Sequence, residues 1–461
     1  MRLEVVHPEN NVSPEHPLVG KSIAIIGGGP AGAFCAYELA RNGVEVRIFE
    51  DRSPKRPDFS AGEKRIPCTG CAGWLQADVT KLLADNGLEM SPEVVQSKTT
   101  FTSIVMPKTE ANLRLNAPST TVFRGFSPIH QFEGHPHVAS LDGWLLEKAI
   151  DAGAKHLQVE ISSIDLNEDS QGKVCIGDST GLKYKTDLVI GAFGHNRRLM
   201  NTIQYPDSNP MRLEMPESQR AGVREYFIPK EFISRDLLES TFVFANPTPR
   251  IPFGTICPKG KFDQEPSGMY ITIALMGRGD VAPDDFKDFL DNEQVKRLLH
   301  IDTQTKPRCA CFPPLTVQSP RQFILPGRKD NVIMVNIGDA GPTRLRKNGI
   351  GSALDSAKHL SDILLRYGNS SEHMEIYKRY IERTYVRDNH VVNFVMHLSD
   401  FILNHDFTRR AVICLTDHNL GVVSQITQNT IERILTGKGP YWRIPIDVFL
   451  EIFANTSGPG E

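Results

Sequence analysis

The chain has 461 residues, of which 40% are apolar and 23% charged, with a formal net charge of −3 and eight cysteines. That length buries large cores and implies about two or three domains, and the near-neutral charge leaves no electrostatic footprint for nucleic acid. No apolar run approaches the ~20 residues of a membrane span, the polar stretch from Met1 to Pro17 has no signal-peptide core, and scattered cysteines in so large a chain do not make a secreted disulfide scaffold; the composition predicts a cytoplasmic protein, with peripheral membrane contact through a surface patch left open.

Residues 1–20 read as a loose arm, and residues 21–51 as a strand–turn–helix–strand unit. The apolar run Ile23-Ala24-Ile25-Ile26 leads into Gly27-Gly28-Gly29-Pro30-Ala31-Gly32, and the helix that follows is closed by Asn42-Gly43. A second strand, Val46-Arg47-Ile48-Phe49, ends at Glu50, 18 residues after Gly32. Each part has a reason. Gly27 allows the tight turn, Gly29 lets a pyrophosphate approach the backbone, and Gly32 brings the helix close to the strand. The helix N-terminus offers free N–H groups and partial positive charge to phosphates. Glu50 stands where a carboxylate accepts hydrogen bonds from the ribose hydroxyls of an adenosine. The unit predicts dinucleotide binding.

Arg52 to Gly73, rich in Pro, Gly and charge, predicts a long loop. Residues 98–134 carry β-like alternation, and a helix is expected from Ser140 to Ile150, ended by Gly153, with Trp144 as core packing. Strands are predicted near Leu157–Ile164 and Lys173–Ile176, then over Asp187-Leu188-Val189-Ile190-Gly191-Ala192. Residues 205–324 mix Pro-punctuated strands with short helices, the clearest strand starting at Met269. Nucleotide-domain character resumes at Asn331 to Ala340, followed by a helix from about Gly349 to Tyr367. Residues 372–454 read mainly as helices, with Val391, Val392, Phe394, Val395, Leu398, Phe401 and Ile402 on one face.

Two later segments narrow the dinucleotide to FAD. Asp187 to Gly194 is an apolar strand running into small residues, as a backbone passing close beside a nucleotide requires. Ile337-Gly338-Asp339-Ala340-Gly341 is followed by Asn348-Gly349-Ile350-Gly351 at a helix start. The strand-end Gly-Asp can hydrogen-bond the ribityl or pyrophosphate region. The helix start can aim N–H groups at the N1/C2=O edge of a flavin, which becomes anionic on reduction.

In this order the motifs resemble the FAD-dependent oxidoreductases of the para-hydroxybenzoate hydroxylase superfamily, and most closely its geranylgeranyl reductase-like branch, over roughly residues 20–366. The helix from Leu141 to Ala149, the Asp187–Gly194 strand and Gly338-Asp339-Ala340 are each similar to family segments. Pro67-Cys68-Thr69-Gly70-Cys71-Ala72-Gly73 is similar to the branch's Pro-Cys-Gly-Gly loop near the flavin, and Phe253 to Lys259 stands where the branch has its aromatic substrate motif. The chain departs from the pattern at Val138, where the family has an Arg that supplies a phosphate contact. It departs again at Phe193, where the family has Asp, and at Thr255 and Cys257, where it has aromatics. Arg344, Arg346 and Lys347 occupy a loop that is apolar or glycine–proline in the family.

The resemblance implies an α/β protein: a three-layer, Rossmann-like FAD-binding domain with a parallel sheet (21–97, 135–200 and 325–366), an inserted mixed-sheet substrate domain (98–134 and 201–324), and a C-terminal helical region (367–461) after the N-terminal arm (1–20). It carries cofactor contact onto Gly27, Gly29, Pro30, Ala31, Gly32, Glu50, Asp51, Gly191, Ala192, Gly338, Asp339, Gly349, Ile350 and Gly351, and substrate contact onto Cys257 and Pro258; Phe312, in Cys311-Phe312-Pro313-Pro314, is expected to line the substrate cavity near the strand returning to the nucleotide domain. The leading expectation is a reductase that saturates a carbon–carbon double bond of an apolar, isoprenoid-type molecule by hydride transfer from flavin N5, with NAD(P)H as external donor. Cys68 is the nearest candidate acid, water being equally open. A flavin-dependent hydroxylase and a non-catalytic flavin-binding protein are the alternatives. Cys68 and Cys71 read as loop cysteines near the flavin, with a redox pair second. No metal site is expected, because Cys309 and Cys311 have a poor zinc spacing. The basic loop predicts either a solvated surface or a cationic edge that raises the flavin's reduction potential. Oligomeric state leaves no sequence signal.

Overall fold

The Ser22–Ile26 strand is buried at every position, as the continuous apolar strands of parallel sheets are. The computed structural model describes residues 17–52, 71–107, 112–125, 139–260, 268–301, 304–345, 348–391, 422–436 and 441–443. In it this strand pairs in parallel with Glu45–Phe49 on one side and Leu188–Gly191 on the other. They are central in a six-stranded sheet ordered Ile324–Pro326, Val332–Asn336, Leu188–Gly191, Ser22–Ile26, Glu45–Phe49, Lys155–Leu157. Only the edge pair Ile324–Pro326 with Val332–Asn336 is antiparallel.

Alternation along these strands builds the layers. Ile23, Ile25, Val46, Ile48, Leu188 and Ile190 point to one face and join a core with the helices Pro30–Ala40, Leu141–Asp151 and Gly349–Tyr367. Trp144 is part of that core. Ala24, Ile26, Phe49 and Val189 point to the other face. There they meet Ile164, Val174 and Ile176 of a smaller four-stranded sheet. The small residues of the Pro30–Ala40 helix let it pack against both other helices. The α/β class and the three-layer, parallel-sheet arrangement are as expected.

One strand differs from expectation. Leu157–Ile164 is two strands: Lys155–Leu157 ends the parallel sheet, and Ile161–Asp165 belongs to the four-stranded one. Leu157, Ile161 and Ile164 keep a continuous apolar pattern across the crossing, so periodicity does not register the change of sheet.

The second unit is a seven-stranded mixed sheet ordered Cys309–Cys311, Gly222–Pro229, Gly268–Met276, Ile251–Lys259, Ser240–Thr248, Phe101–Val105, Asn112–Leu115. All pairs are antiparallel except Ser240–Thr248 with Phe101–Val105. Its far face (Tyr226, Phe242, Phe244, Ile256, Ile271, Ile273) packs under Phe286 and Phe289 of the helix Pro283–Leu290. The near face, which carries Val223, Phe253, Thr255 and Ala274, is turned toward the six-stranded sheet across a cavity. Deeper on that face lies a buried ion pair: Lys259 Nζ is 3.1 Å from Glu225 Oε2, which also accepts from the Thr272 hydroxyl at 3.0 Å.

Beyond Tyr367 the described residues form the helix Ser371–Ile381, a wider turn over Glu382–Val386 and the helix Val422–Thr436. Of the helical face predicted for this region, Val391 is described; Val392, Phe394, Val395, Leu398, Phe401 and Ile402 lie outside the described residues.

Candidate functional site

A cavity of about 980 Å³ runs between the two sheets. At one end it is lined by Gly27, Gly29, Pro30, Ala31, Glu50, Asp51 and Arg52, along its middle by Ala192, Gly338, Asp339, Gly349 and Ile350, and at the far end by Trp74, Phe253, Thr255, Ala274, Met276 and Leu315. Most residues predicted to touch a cofactor thus share one wall. Gly32, Gly191 and Gly351 do not line it. Their role is close packing: a Cβ on Gly32 would lie 1.9 Å from Gly27 O, and one on Gly191 or Gly351 would lie 2.2 Å from the side chain of Asn336 or Asn348. Gly27 adopts φ +106°, and a Cβ there would meet Ala192 O at 2.5 Å.

The first end suits a pyrophosphate. The Pro30–Ala40 helix has Gly29 as its N-cap, with no side-chain cap and no acidic residue in its first turn, so no residue of its own first turn offsets its partial positive charge. A Cβ on Gly29 would find only Asp142 Oδ1, at 4.0 Å. That carboxylate is fully buried and receives Arg124 through two bonds, Nε to Oδ2 at 2.6 Å and Nη2 to Oδ1 at 3.0 Å, with the Gly125 N–H as a third donor at 2.8 Å. Arg124 lines the cavity. It comes from the segment after the Ser119–Val122 strand. No spacing rule marks Arg124, because it lies 18 residues before the carboxylate it pairs with.

Glu50 closes this end and is buried. Its Oε2 accepts from the Gly28 N–H at 2.8 Å and from Arg52 Nη2 at 2.8 Å, while Oε1 accepts from Arg52 Nε at 2.7 Å. The expectation that its oxygens stand ready for ribose hydroxyls needs this correction: Arg52 already engages both. Burial works against the charge, but the Arg52 hydrogen bonds and positive charge outweigh it and hold the carboxyl at about 2. Burial and the adjacent Glu50 carboxylate push Asp51 up to about 6.

In the middle, Asn348 adopts left-handed backbone geometry and caps the Gly349–Tyr367 helix, its Oδ1 accepting the Gly351 N–H at 3.2 Å. Asp339 accepts the Thr343 hydroxyl at 3.0 Å. Opposite, His195 follows the Leu188–Gly191 strand, and its Nε2 is 2.9 Å from Thr316 Oγ1. Its Nδ1 is buried and has no protein partner among the described residues. Burial lowers the imidazole's pKa, the nearby Asp339 carboxylate opposing this. Sequence reasoning missed His195, Arg52, Arg124 and Trp74. Arg344 lines the cavity wall, whereas Arg346 and Lys347 lie outside the described residues.

The far end is apolar: Trp74 and Leu315 pack against Val243, Phe253 and Met276. The three predicted substrate residues do not line it. Strand alternation explains why. Phe253 and Thr255 face the cavity, Ile256 and Pro258 the opposite side; Cys257 shares the cavity side but is wholly buried, its thiol pushed up to about 12 by burial. The Phe312 ring packs edge-on against Phe286 at the far-face core. Cys71 lines the cavity, with Gly73 N 3.4 Å from its sulfur; Cys68 lies outside the described residues. Among the described residues, no group of three or more His, Cys, Asp or Glu gathers to hold a metal, and no helix is long and apolar enough to cross a membrane.

Residues 25–54 match the NAD(P)-binding Rossmann-like domain family. The chain is 26% identical over 213 residues to a geranylgeranyl diphosphate reductase of Synechocystis sp., a match covering 43% of this chain and 46% of that protein. It thus spans less than half the length of that relative. Among solved structures it is similar to a geranylgeranyl bacteriochlorophyll reductase-like protein from Thermoplasma acidophilum, with a TM-score of 0.62 and 16% identity over 94% of this chain and 99% of that one. It is also similar to a variant of the halogenase PltM in complex with FAD, with a TM-score of 0.56 and 14% identity over 95% and 93%. The resemblance to FAD-dependent oxidoreductases with a geranylgeranyl reductase-like fold is borne out.

Proposed function

We propose that the chain is an FAD-dependent oxidoreductase whose cavity takes the whole cofactor, and that it saturates a carbon–carbon double bond of an apolar molecule. The observation that carries this reading is continuity. One cavity joins the glycine turn and Glu50 to Asp339 and the Gly349 helix start, and then to the apolar wall of Trp74, Phe253 and Met276. Its first end has the free helix terminus and the Arg124 guanidinium that a pyrophosphate requires. Its far end has the apolar lining of a small-molecule site.

Each part of the chain then has a task. The backbone of the glycine turn holds the adenosine end, braced by Glu50 through the Gly28 N–H. Arg124, oriented by Asp142, meets the pyrophosphate. Asp339 and the Gly349 N-terminus orient the flavin end. Trp74, Phe253, Met276 and Leu315 hold the apolar substrate and exclude water, fixing the reacting atoms at about 3–3.5 Å. A bound flavin supplies the hydride. NAD(P)H as donor, Cys68 as acid and a cytoplasmic or membrane-peripheral location remain parts of this proposal.

Incubating the purified protein with a polyprenyl alcohol and chemically reduced FAD without oxygen, followed by mass spectrometry, tests the reaction. Gain of two hydrogens supports the reductase reading. Gain of one oxygen atom, and only when air is admitted, replaces it with the hydroxylase reading. No product under either condition, with FAD retained, rules out the double-bond reduction for this substrate class.

A further inference from the structure

We infer that Arg344 and Asp388 form a charge pair that sets the reduction potential of the flavin, with the C-terminal region supplying the counter-ion. This rests on the reading of the cavity as an FAD site.

Arg344 lies in the connection between Asp339 and the helix that starts at Gly349, and its side chain lines the cavity beside Asn348 and Ile350. Its backbone N–H points to Ser352 Oγ at 3.4 Å, which docks it on the first turn of that helix. The helix has no acidic residue in its first turn. A guanidinium and a helix N-terminus thus share the wall where the N1/C2=O edge of a flavin is expected. The family that the motifs resemble has apolar or glycine–proline sequence at this loop, so the cation belongs to this chain.

The cation is not left alone. Arg344 Nη1 is 2.5 Å from Asp388 Oδ2, and the Asp388 side chain is fully buried. Asp388 Oδ1 accepts the Trp442 N–H at 3.2 Å. The neighbouring Asn389 clamps the same loop: its Oδ1 accepts the Leu345 N–H at 3.1 Å and its Nδ2 donates to Thr343 O at 2.8 Å. The rings of Tyr385 and Tyr441 lie 5.8 and 5.5 Å from the guanidinium. Two adjacent side chains after the Ser371–Ile381 helix therefore hold the flavin loop in place, one by charge and one by amide.

The consequence is electrostatic. A flavin that takes up two electrons and one proton gains a unit of negative charge at its N1/C2=O edge. A cation there favours the reduced form, and a carboxylate behind it opposes it; both side chains are buried, where charges are weakly screened. Arg344 and Asp388 therefore push the potential in opposite directions. A purely structural ion pair has no such sign.

The test uses the full-length holoprotein and anaerobic redox titration against a reference dye. Arg344→Met is expected to shift the oxidised-to-reduced equilibrium about tenfold toward the oxidised flavin, about 30 mV for a two-electron couple. Asp388→Asn is expected to shift it a similar amount the other way, and the double variant to return near wild type. Shifts of the same sign, or an Asp388→Asn midpoint equal to wild type, overturn the inference while leaving the FAD site intact. Should Arg344→Met fail to fold, Asp388→Asn alone decides: a raised midpoint supports the pair and an unchanged or lowered one rejects it. A wild-type protein that binds no FAD overturns both the FAD reading and this inference.

Discussion

The two ends of the cavity are built from different materials. The nucleotide end is made of backbone: Gly27 is pressed against Ala192 O, Gly32 against Gly27 O, and Gly29 opens a helix terminus. The far end is made of side chains: Phe253 and Met276 from one face of the seven-stranded sheet, with Trp74 and Leu315 from strands of two smaller sheets beside it. A backbone-made site tolerates few residue types at fixed spacing and leaves a mark in the sequence. A side-chain wall needs only an apolar face, and many sequences satisfy that need.

This contrast breaks first at the ion pair beneath the nucleotide end. Arg124→Ala strands the fully buried Asp142 carboxylate with only the Gly125 N–H beside it among the bonds described. Loss of one partner of a buried pair costs about 3–5 kcal/mol, and denaturant unfolding should show it together with loss of bound FAD. Next comes Gly32→Ala, whose added Cβ would lie 1.9 Å from Gly27 O. Overpacking of this kind costs about 1–3 kcal/mol, and the same unfolding measurement checks it.

The far end should respond differently. Trp74→Ala and Met276→Ala are expected to keep FAD bound, because neither side chain belongs to the glycine turn or the Asp339 loop. Removing such an apolar side chain from the wall forfeits about 1.5–3 kcal/mol of contact with a bound ligand, so affinity for an apolar ligand should fall roughly 10- to 100-fold in a binding titration. Loss of FAD from these variants would show that the two ends are not separable.

The smallest effect concerns pH. Burial lowers the pKa of His195 and His359 in the folded chain. The folded state then binds fewer protons than the unfolded one as pH falls through the ordinary histidine value of about 6.5. The contribution is complete above that pH and is lost as pH falls through the lowered folded values. Carboxyls pushed up in the folded chain, such as Asp51, act the other way in this window, so the test is the difference: on acidification below about pH 6.5 the thermal midpoint of wild type should fall relative to that of His195→Gln.

Much of the nucleotide end is legible in the sequence, because Gly27 and Gly29 cannot become other residues without changing the backbone or crowding the helix terminus, while the Arg52 partner of Glu50 is not. The Gly349–Tyr367 helix was read with its observed ends, since Asn348 and Gly368 mark them. What stayed hidden lies between distant segments. Arg124 reaches Asp142, and Arg344 reaches Asp388, through folding alone. The far end was misread for a simpler reason. Position in a resembled motif points to Cys257 and Pro258, and the Cys311-Phe312-Pro313-Pro314 stretch to Phe312, but the pleat turns Pro258 away, Cys257 is buried, and Phe312 packs against Phe286.

The most direct test is a titration of the apoprotein with FAD in competition with ADP. A single cavity spanning Gly29 and Asp339 predicts one FAD per chain, displaced by ADP, with Arg124→Lys weakening both ligands together. FAD that fails to bind, or binds without regard to ADP, would contradict it.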